Sequence, residues 1–430
     1  MRPVCGGSGI EDNDPKQREA MTKSLSVTLL TGGSDKPYVH GLTQALSSLG
    51  MTLDVIGSDE LDEPVLREMP GVNFLNLRGD QRSNADLATK TSRILAYYSK
   101  LIRYAATSKP KVFHILWNNK FETFDRTMLM LYYKLLGKTV VLTAHNVNAA
   151  KRDSRDTFLN RLTLRIQYHL CGHIFVHTPK MKDELEKDFN IPRNRITVIP
   201  FGVNNSIPDT GLSSKEAKER LGLADADKTI LFFGRIKPYK GLHYLVDAFQ
   251  RFAPQHARYK LIIAGRLEEG CEEYWESIKE KIKEDVKTGR VILRVEFIPD
   301  SETEVYFKGG DVVVLPYKDI FQSGVIFLAY RFGLPVVAAD VGSLKDDIVE
   351  GETGFVFKPE DPADLATVLD RYFGSDLFAS LDDRRKAIKE FVEKRHSWDV
   401  VSQLTANVYS DQLRANAQEP KRASLDVKHL

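Results

Sequence analysis

The chain has 430 residues, of which 42% are hydrophobic and 28% charged, and its formal net charge is +2 at pH 7. This length exceeds what one hydrophobic core usually organises, so we expect two domains. The near-neutral charge offers no global attraction to nucleic acid. Three widely spaced cysteines argue against a disulfide framework and a zinc site, and they favour a reducing cytoplasm.

The first half alternates short apolar runs with longer helical patterns. Residues 1–24 contain neither a signal peptide nor a membrane span and are predicted to form a disordered tail. Apolar strands separated by helices are typical of a parallel sheet that is covered on both faces. The predicted strands of this domain, residues 25–203, are Leu25–Leu30, Thr52–Ile56, Val72–Leu77, Val112–Leu116, Thr139–Thr143, His173–His177 and Ile196–Ile199.

A polar stretch, residues 204–228, interrupts this rhythm and is predicted to be a linker with one short helix, Ser213–Leu221. A second domain of the same doubly wound α/β class follows over residues 229–386. Its predicted strands are Thr229–Phe233, Lys260–Ala264, Val291–Phe297, Val312–Leu315 and Val336–Ala338. A helical segment, 387–413, and a disordered tail, 414–430, complete the chain.

Two strand ends in the first domain carry candidate binding residues. Thr31-Gly32-Gly33-Ser34 follows the first strand, and its glycines allow backbone N–H groups to approach an anion. His145 follows the strand Thr139–Thr143, where its ring could hydrogen-bond a ligand hydroxyl without titrating. An ordinary turn and a structural histidine are the alternatives.

The second domain has two candidate anion-binding elements. Arg235 and Lys240 lie in a Gly/Pro loop directly after a strand, where an α/β sheet binds ligands. Ser323 is a predicted helix N-cap, which would point the N–H groups of Gly324 and Val325 into the cleft. A solvated loop and an ordinary capped helix are the alternatives. No Gly-x-Gly-x-x-Gly follows a strand, and no P-loop occurs.

Residues 151–170 combine arginines with an apolar stripe at i+4 spacing: Phe158, Leu162, Ile166 and Leu170. A helix whose stripe faces the core and whose basic face is solvated explains this pattern. The alternative is a basic amphipathic helix that lies on an anionic membrane.

In this order, these segments resemble the retaining glycosyltransferases of sequence family 4 (group 1), over about residues 25–410. The most specific part of the resemblance runs from Gly333-Leu334-Pro335 to Gly354-Phe355-Val356. Gly234–Gly241 is similar to the donor-phosphate loop of that family, and Thr143–Asn146 to its histidine motif. The resemblance implies the GT-B fold, in which two Rossmann-like domains face each other across a cleft.

The resemblance also implies a reaction. The second domain would hold a nucleotide-sugar donor, for which GDP-mannose or a UDP-hexose are the first choices, and the first domain would hold a glycan or lipid-linked acceptor. Arg235 and Lys240 would stabilise the leaving diphosphate, and the N–H groups of Ser323 to Val325 would cap it. His145 would orient the donor sugar, Gly33 would approach it, and the main chain near Ile298 would contact the base. No metal or other cofactor is implied, and polysaccharide or glycolipid synthesis in the cytoplasm, at most peripheral to the membrane, is expected.

One departure concerns two glutamates that the family usually has eight positions apart. Ile320 and Leu328 occupy those positions, so the usual contacts to the donor sugar and the ribose are missing. Asp319 and Gln322 are the candidate replacements. Two rival functions follow: a catalytically silent partner that binds nucleotide sugars, and a nucleotide-sugar epimerase with the same fold.

Overall fold

The computed structural model describes residues 25–32, 35–81, 86–152, 155–205, 207–252 and 258–418. These residues form two parallel sheets with helices on both faces. The predicted class, two doubly wound Rossmann-like domains, is therefore confirmed. Gly33, the predicted tail 1–24 and residues 419–430 lie outside the described residues, while residues 414–418 of the second predicted tail, 414–430, continue the last helix.

The first sheet has the strand order β3-β2-β1-β4-β5-β6-β7. All its pairings are parallel, so the carboxyl ends of its strands share one edge. Its strands are β1 (Ser26–Leu30), β2 (Thr52–Gly57), β3 (Val72–Asn76), β4 (Val112–Ile115), β5 (Thr139–Ala144), β6 (His173–Val176) and β7 (Ile196–Val198).

The second sheet has the order β10-β9-β8-β11-β12-β13 and is also parallel. Its strands are β8 (Lys228–Phe233), β9 (Tyr259–Ala264), β10 (Val291–Arg294), β11 (Val312–Leu315), β12 (Val336–Ala339) and β13 (Gly354–Phe357).

Helices cover both faces of each sheet. The first domain contains α1 (Lys36–Ser48), α2 (Pro64–Glu68), α3 (Leu87–Thr107), α4 (Glu122–Phe124), a π-helical turn (Asp125–Leu129), α5 (Met130–Leu135), α6 (Ala149–Arg152), α7 (Phe158–Leu170) and α8 (Pro179–Phe189). The remaining helices are α9 (Ser214–Arg220), α10 (Leu242–Phe252), α11 (Glu272–Lys287), α12 (Asp300–Gly309), α13 (Gly324–Arg331), α14 (Pro362–Phe373), α15 (Asp376–Ala379), α16 (Leu381–His396) and α17 (Trp398–Gln418). Short 3-10 turns lie at Asp59–Leu61, Arg193–Arg195, Pro238–Lys240 and Leu344–Asp347.

The last helix packs on the first domain. α17 contacts α1, and Trp398 belongs to the same buried cluster as Val27 of β1. A Cβ atom at Gly41 or Gly202 would lie 2.1 or 2.5 Å from the Trp398 ring, so both positions require glycine for the indole to fit. The indole N–H donates to the carbonyl oxygen of Val203 at 2.7 Å.

Two strand predictions differ from the structure. β10 ends at Arg294, and Phe297, which was predicted to be in the strand, is 68% exposed. β13 was not predicted, because it is a four-residue strand that begins with a glycine. A Cβ atom at Gly354 would lie 1.9 Å from the carbonyl oxygen of Val336, so this glycine allows the two strands to pair.

The prediction that the apolar stripe of residues 151–170 faces the core is only partly correct: Ile166 is half-buried and Leu170 packs against the core, but the first two stripe residues are exposed. Phe158 is 82% exposed and Leu162 is 42% exposed. The buried face of α7 is instead formed by Thr163, Leu164, Gln167 and Tyr168. The residues nearby include further exposed apolar side chains: Phe121, Met128, Leu131, Leu135 and Leu159. Within the described ranges, no helix is long and apolar enough to cross a membrane.

Candidate active site

The loop after β8 holds its two predicted cations differently. Lys240 Nζ lies 2.9 Å from the hydroxyl of Tyr317 and 4.5 Å from the centre of that ring. The Arg235 side chain is 62% exposed, and its Nη1 lies 3.4 Å from Glu268. Lys240 is thus held in a defined place, while Arg235 can reorient toward a ligand.

Two glycines shape this loop. Gly234 has φ +121° and faces Lys240, because a Cβ atom there would lie 3.7 Å from the ammonium nitrogen. Gly241 has φ +66°, and a Cβ atom would lie 1.8 Å from the carbonyl oxygen of Pro316. Only glycine fits this left-handed position in close contact with the backbone at Pro316.

The predicted N-cap is present. Ser323 is buried, and its Oγ accepts a 3.3 Å hydrogen bond from the N–H of Val325 at the start of α13. The same Oγ lies 3.3 Å from the Tyr317 hydroxyl, which also contacts Lys240. One tyrosine therefore links the cation to the helix N-terminus. A Cβ atom at Gly324 would lie 3.7 Å from Phe201, so this N-terminus faces the connection to the first domain.

His145 lies at the carboxyl end of β5, in a stack of rings. Its ring is parallel to that of Trp117, with 4.0 Å between centroids and 6° between planes. Its Nδ1 lies 2.9 Å from Nε2 of His177, which follows the neighbouring strand β6. Tyr38 packs edge-on against it at 4.8 Å. A cavity of about 290 Å³ opens beside His145 at the ends of β4 and β5.

The hydrogen bonds determine the tautomer of His145. Nδ1 of His177 must carry a proton, because its partner at 3.3 Å is the carbonyl oxygen of Ile199. Burial lowers the pKa of His177 to about 4, so this ring is neutral at pH 7 and its Nε2 accepts. The proton between the two rings therefore belongs to Nδ1 of His145. Its Nε2 is a lone-pair acceptor that is buried and has no hydrogen-bond partner among the described residues.

The neutral state of His145 follows from its surroundings. Burial, and secondarily the neighbouring rings of His177 and His114, lower the pKa of His145 well below its ordinary value. His145 can therefore accept a hydrogen bond from a hydroxyl, and it is not a charged group at pH 7. Burial lowers the pKa values of a whole buried histidine set, which comprises His114, His145, His173, His177 and His396.

The positions of the two missing glutamates are apolar and buried. Ile320 and Leu328 are 9% and 7% exposed, and both belong to the core of the second domain. Asp319, beside the first position, is exposed. Burial raises the pKa of Glu184 in the first domain, and the nearby carboxylate of Asp319 acts in the same direction. Asp319 thus lies near the opposite wall of the cleft.

Gln322, the other candidate replacement, faces inward. Its Nε2 lies 3.3 Å from Oδ2 of Asp347, while its Oε1 is buried without a partner in the described part of the chain. Burial raises the pKa of Asp347 to about 7, although the Gln322 hydrogen bond acts against this. His396, whose Nδ1 donates to the carbonyl oxygen of Phe201, lies 4.0 Å from Asp347. The sequence did not predict that His396 contacts Asp347 and also links the second domain to Phe201 of the first.

The region predicted to contact the nucleotide base lies after β10. Ile298 is 8% exposed and immediately precedes Pro299, the N-cap of α12. Among the described residues, no group of three or more His, Cys, Asp or Glu side chains could hold a metal ion.

Comparison with known proteins explains this arrangement. A model of Glycosyltransferase Family 4 matches residues 36–206, and one of Glycosyl transferases group 1 matches residues 227–374. Together they cover every strand of both sheets except β1. The chain belongs to the family 4 (group 1) glycosyltransferases.

Curated relatives of this glycosyltransferase are distant. A D-inositol 3-phosphate glycosyltransferase of Corynebacterium urealyticum is 23% identical over 88% of this chain and 90% of its own length. An uncharacterized glycosyltransferase of Methanocaldococcus jannaschii is 29% identical, and that match covers 56% of this chain and 60% of the relative.

Solved structures show the same fold. Sucrose-phosphate synthase from Thermosynechococcus elongatus superposes with a TM-score of 0.73 at 18% identity, over 91% of this chain and all of the other. Anabaena HepE in complex with UDP-glucose has a TM-score of 0.66 at 16% identity, over 90% of this chain and 99% of the other. The GT-B fold that the resemblance implied is confirmed.

Proposed function

We propose that this glycosyltransferase moves a hexosyl group from a nucleotide sugar to a glycan or lipid-linked acceptor, with retention of configuration and without a metal ion. The observation that carries the proposal is the Tyr317 hydroxyl, which connects Lys240 to the N-cap Ser323. A cation and a helix N-terminus then face one place, which suits a diphosphate.

The chemistry requires such a place. Breaking the bond between sugar and phosphate concentrates negative charge on the leaving oxygen, and prearranged donors stabilise that charge more than the ground state. Lys240, a reoriented Arg235 and the first amides of α13 would be those donors. His145 Nε2 would accept a hydrogen bond from a sugar hydroxyl, and the leaving phosphate would take the proton of an acceptor that attacks from the same face.

The relatives support the choice of donor and acceptor. HepE was solved with UDP-glucose, so UDP-hexoses are the first donors to test, and GDP-mannose is the second. The Corynebacterium urealyticum relative acts, by its name, on D-inositol 3-phosphate, so a phosphorylated small acceptor joins the glycan and lipid-linked candidates.

A catalytically silent nucleotide-sugar-binding protein is the second candidate. Ile320 and Leu328 favour this candidate, because both are apolar and buried and neither provides a carboxylate that could contact the donor. The active enzyme requires Asp319 to supply the missing contact. Asp319→Asn would then lower transfer without changing binding of the nucleoside diphosphate.

We also propose a cytoplasmic enzyme that touches an anionic membrane through α7. The exposed Phe158 and Leu162 lie on the same helix as the exposed Arg161 and Arg165, a combination that interfacial helices use. The reducing compartment agrees with the two described cysteines, Cys171 and Cys271, which are free thiols.

The test of the donor site is calorimetric titration of nucleoside diphosphates and nucleotide sugars. Lys240→Met should lose binding by about tenfold or more, because it removes one charge-assisted contact to phosphate. Lys279→Met, an exposed lysine on α11, is the matched control. Wild-type affinity in Lys240→Met would contradict the proposed site, and binding without transfer or hydrolysis would favour the silent protein.

A further inference from the structure

A second cavity opens in the first domain, away from the donor-phosphate loop. It has a volume of about 160 Å³ and lies between the segment after β3, the first turns of α3 and the loop after β4. Pockets that hold complete drug-sized ligands are roughly 300–1,000 Å³. The cavity therefore suits one small chemical group.

The lining of this cavity is strongly basic. Four cationic side chains of the described residues contribute to it: Arg78, Lys90, Arg93 and Lys120. Asp80 is the carboxylate in the lining, and it pairs with Arg93 at 3.2 Å. Asp125, behind the wall, already accepts hydrogen bonds from the Tyr98 hydroxyl and the Asn119 amide. Among the described lining residues, four cations therefore outnumber one carboxylate, so an anionic ligand would be attracted.

Arg78 provides an independent sign of a missing acceptor. Its guanidinium lies over the ring of Tyr97, 5.7 Å from the centroid. Its Nη1 is buried and has no hydrogen-bond partner in the described residues. A buried charged donor without an acceptor is costly, and an oxygen of a bound anion would relieve that cost.

The cavity is connected to the proposed reaction site through one short loop. Trp117, which stacks on His145, and Asn119, which lines the cavity, are two residues apart in the loop after β4. Asn119 is fixed there by the Tyr97 hydroxyl, which donates to its Oδ1 at 2.7 Å. A molecule anchored in the cavity can therefore extend toward the wall that carries His145.

We propose that this cavity binds a phosphate group of the acceptor. The inference rests on the proposed function, in that the first domain holds the acceptor. Forked guanidinium donors and flexible ammonium groups together match the several oxygens and the charge of a phosphate. The phosphate can belong to a soluble phosphorylated molecule or to a lipid headgroup, and the cavity recognises the same chemistry in both.

The test is calorimetric titration of the full chain with inorganic phosphate in the presence of saturating UDP. Arg78→Gln and Arg93→Gln should each weaken phosphate binding by about tenfold, since each removes a charge-assisted contact. Lys100→Gln is the matched control, because this exposed lysine lies on α3 outside the cavity and loses the same charge. Phosphate binding that is unchanged in both arginine variants would overturn the proposal, as would binding that only Lys240→Met removes.

Two further measurements separate the sources and the hypotheses. Vesicles that contain phosphatidic acid are titrated with the same variants: loss of vesicle binding in Arg78→Gln indicates a lipid phosphate, whereas loss of phosphate binding alone indicates a soluble acceptor. Nucleotide-sugar binding should remain at the wild-type level in Arg78→Gln. If the wild type binds no nucleotide sugar, the proposed function is contradicted. If it binds nucleotide sugars but no inorganic phosphate, only the proposed phosphate site in the cavity is contradicted.

Discussion

Replacing His177 tests whether the pair of histidines fixes an acceptor for the donor sugar. In the wild type, His145 donates from Nδ1 to His177 at 2.9 Å and keeps a free lone pair on Nε2. His177→Leu removes the group that holds this tautomer, so the proton can move to Nε2. A neutral hydrogen bond contributes about 0.5–1.5 kcal/mol net, which corresponds to a loss of about 2- to 13-fold.

The assay compares two affinities of the same variant. Calorimetry measures how much more tightly a nucleotide sugar binds than its nucleoside diphosphate, and this ratio is the gain in affinity due to the sugar. The gain should fall in His177→Leu, while the affinity for the nucleoside diphosphate stays constant. His177→Gln should retain most of the gain, because its amide oxygen can accept from His145. His169→Leu, at an exposed position of α7, is the control.

The pH dependence of the same gain provides a second check. The pKa of His177 lies at about 4, so the gain should be constant between pH 6 and 8. A midpoint near the ordinary histidine pKa of about 6.5 would show that the ring titrates, and His177 would then not hold the proposed tautomer of His145. An unchanged gain in affinity for the nucleotide sugar in His177→Leu would likewise show that His177 does not set the tautomer of His145.

Four further results are expected. Gly241→Ala should lower the free energy of unfolding in urea by clearly more than Gly222→Ala does. Both variants force alanine into a left-handed conformation, which costs about 1–2 kcal/mol. Only at position 241 would the added Cβ atom also clash, because the space around Gly222 is open. Folding stability should increase from pH 4 to 6.5, by about 1.4 kcal/mol per pH unit for each buried histidine that is protonated only when unfolded. The pKa of Asp347 is about 7 in the folded protein and lower in the unfolded chain, so this group alone makes stability fall as the pH rises. Asp347→Asn removes this opposing effect and should make the rise in stability steeper. A shallower dependence of the unfolding free energy in urea on pH would contradict this. Phe158→Ser should reduce recruitment to anionic vesicles, whereas Phe297→Ser, an exposed phenylalanine of the second domain, should not.

The sequence predicts the sheets well because buried parallel strands are apolar along their whole length. The same signal places Lys240 and His145 at strand ends, where a ligand would bind. The sequence prediction did not include the partner of His145, although β5 and β6 are adjacent, with Ala144 opposite Val176. The signal in the sequence was His177, which directly follows β6 just as His145 directly follows β5.

Other features depend on contacts between distant parts of the chain. The short approach of Gly241 to Pro316, and the contact of Asp347 with His396, join segments that no local pattern relates. The apolar stripe of α7, whose first two residues are exposed, has the same spacing as a core stripe, so periodicity alone could not show which side of the helix is buried. Only the packed neighbours decide this.

The placement of Trp398 determines the order in which the protein can be completed during synthesis. The second sheet, from β8 to β13, consists of residues that leave the ribosome before α17 does. The first domain, although made earlier, lacks the indole that fills the space between Gly41 and Gly202 until residue 398 has left the ribosome. The amino-terminal domain is therefore the last to acquire its complete core, and a nascent chain halted before residue 398 would expose that gap to chaperones.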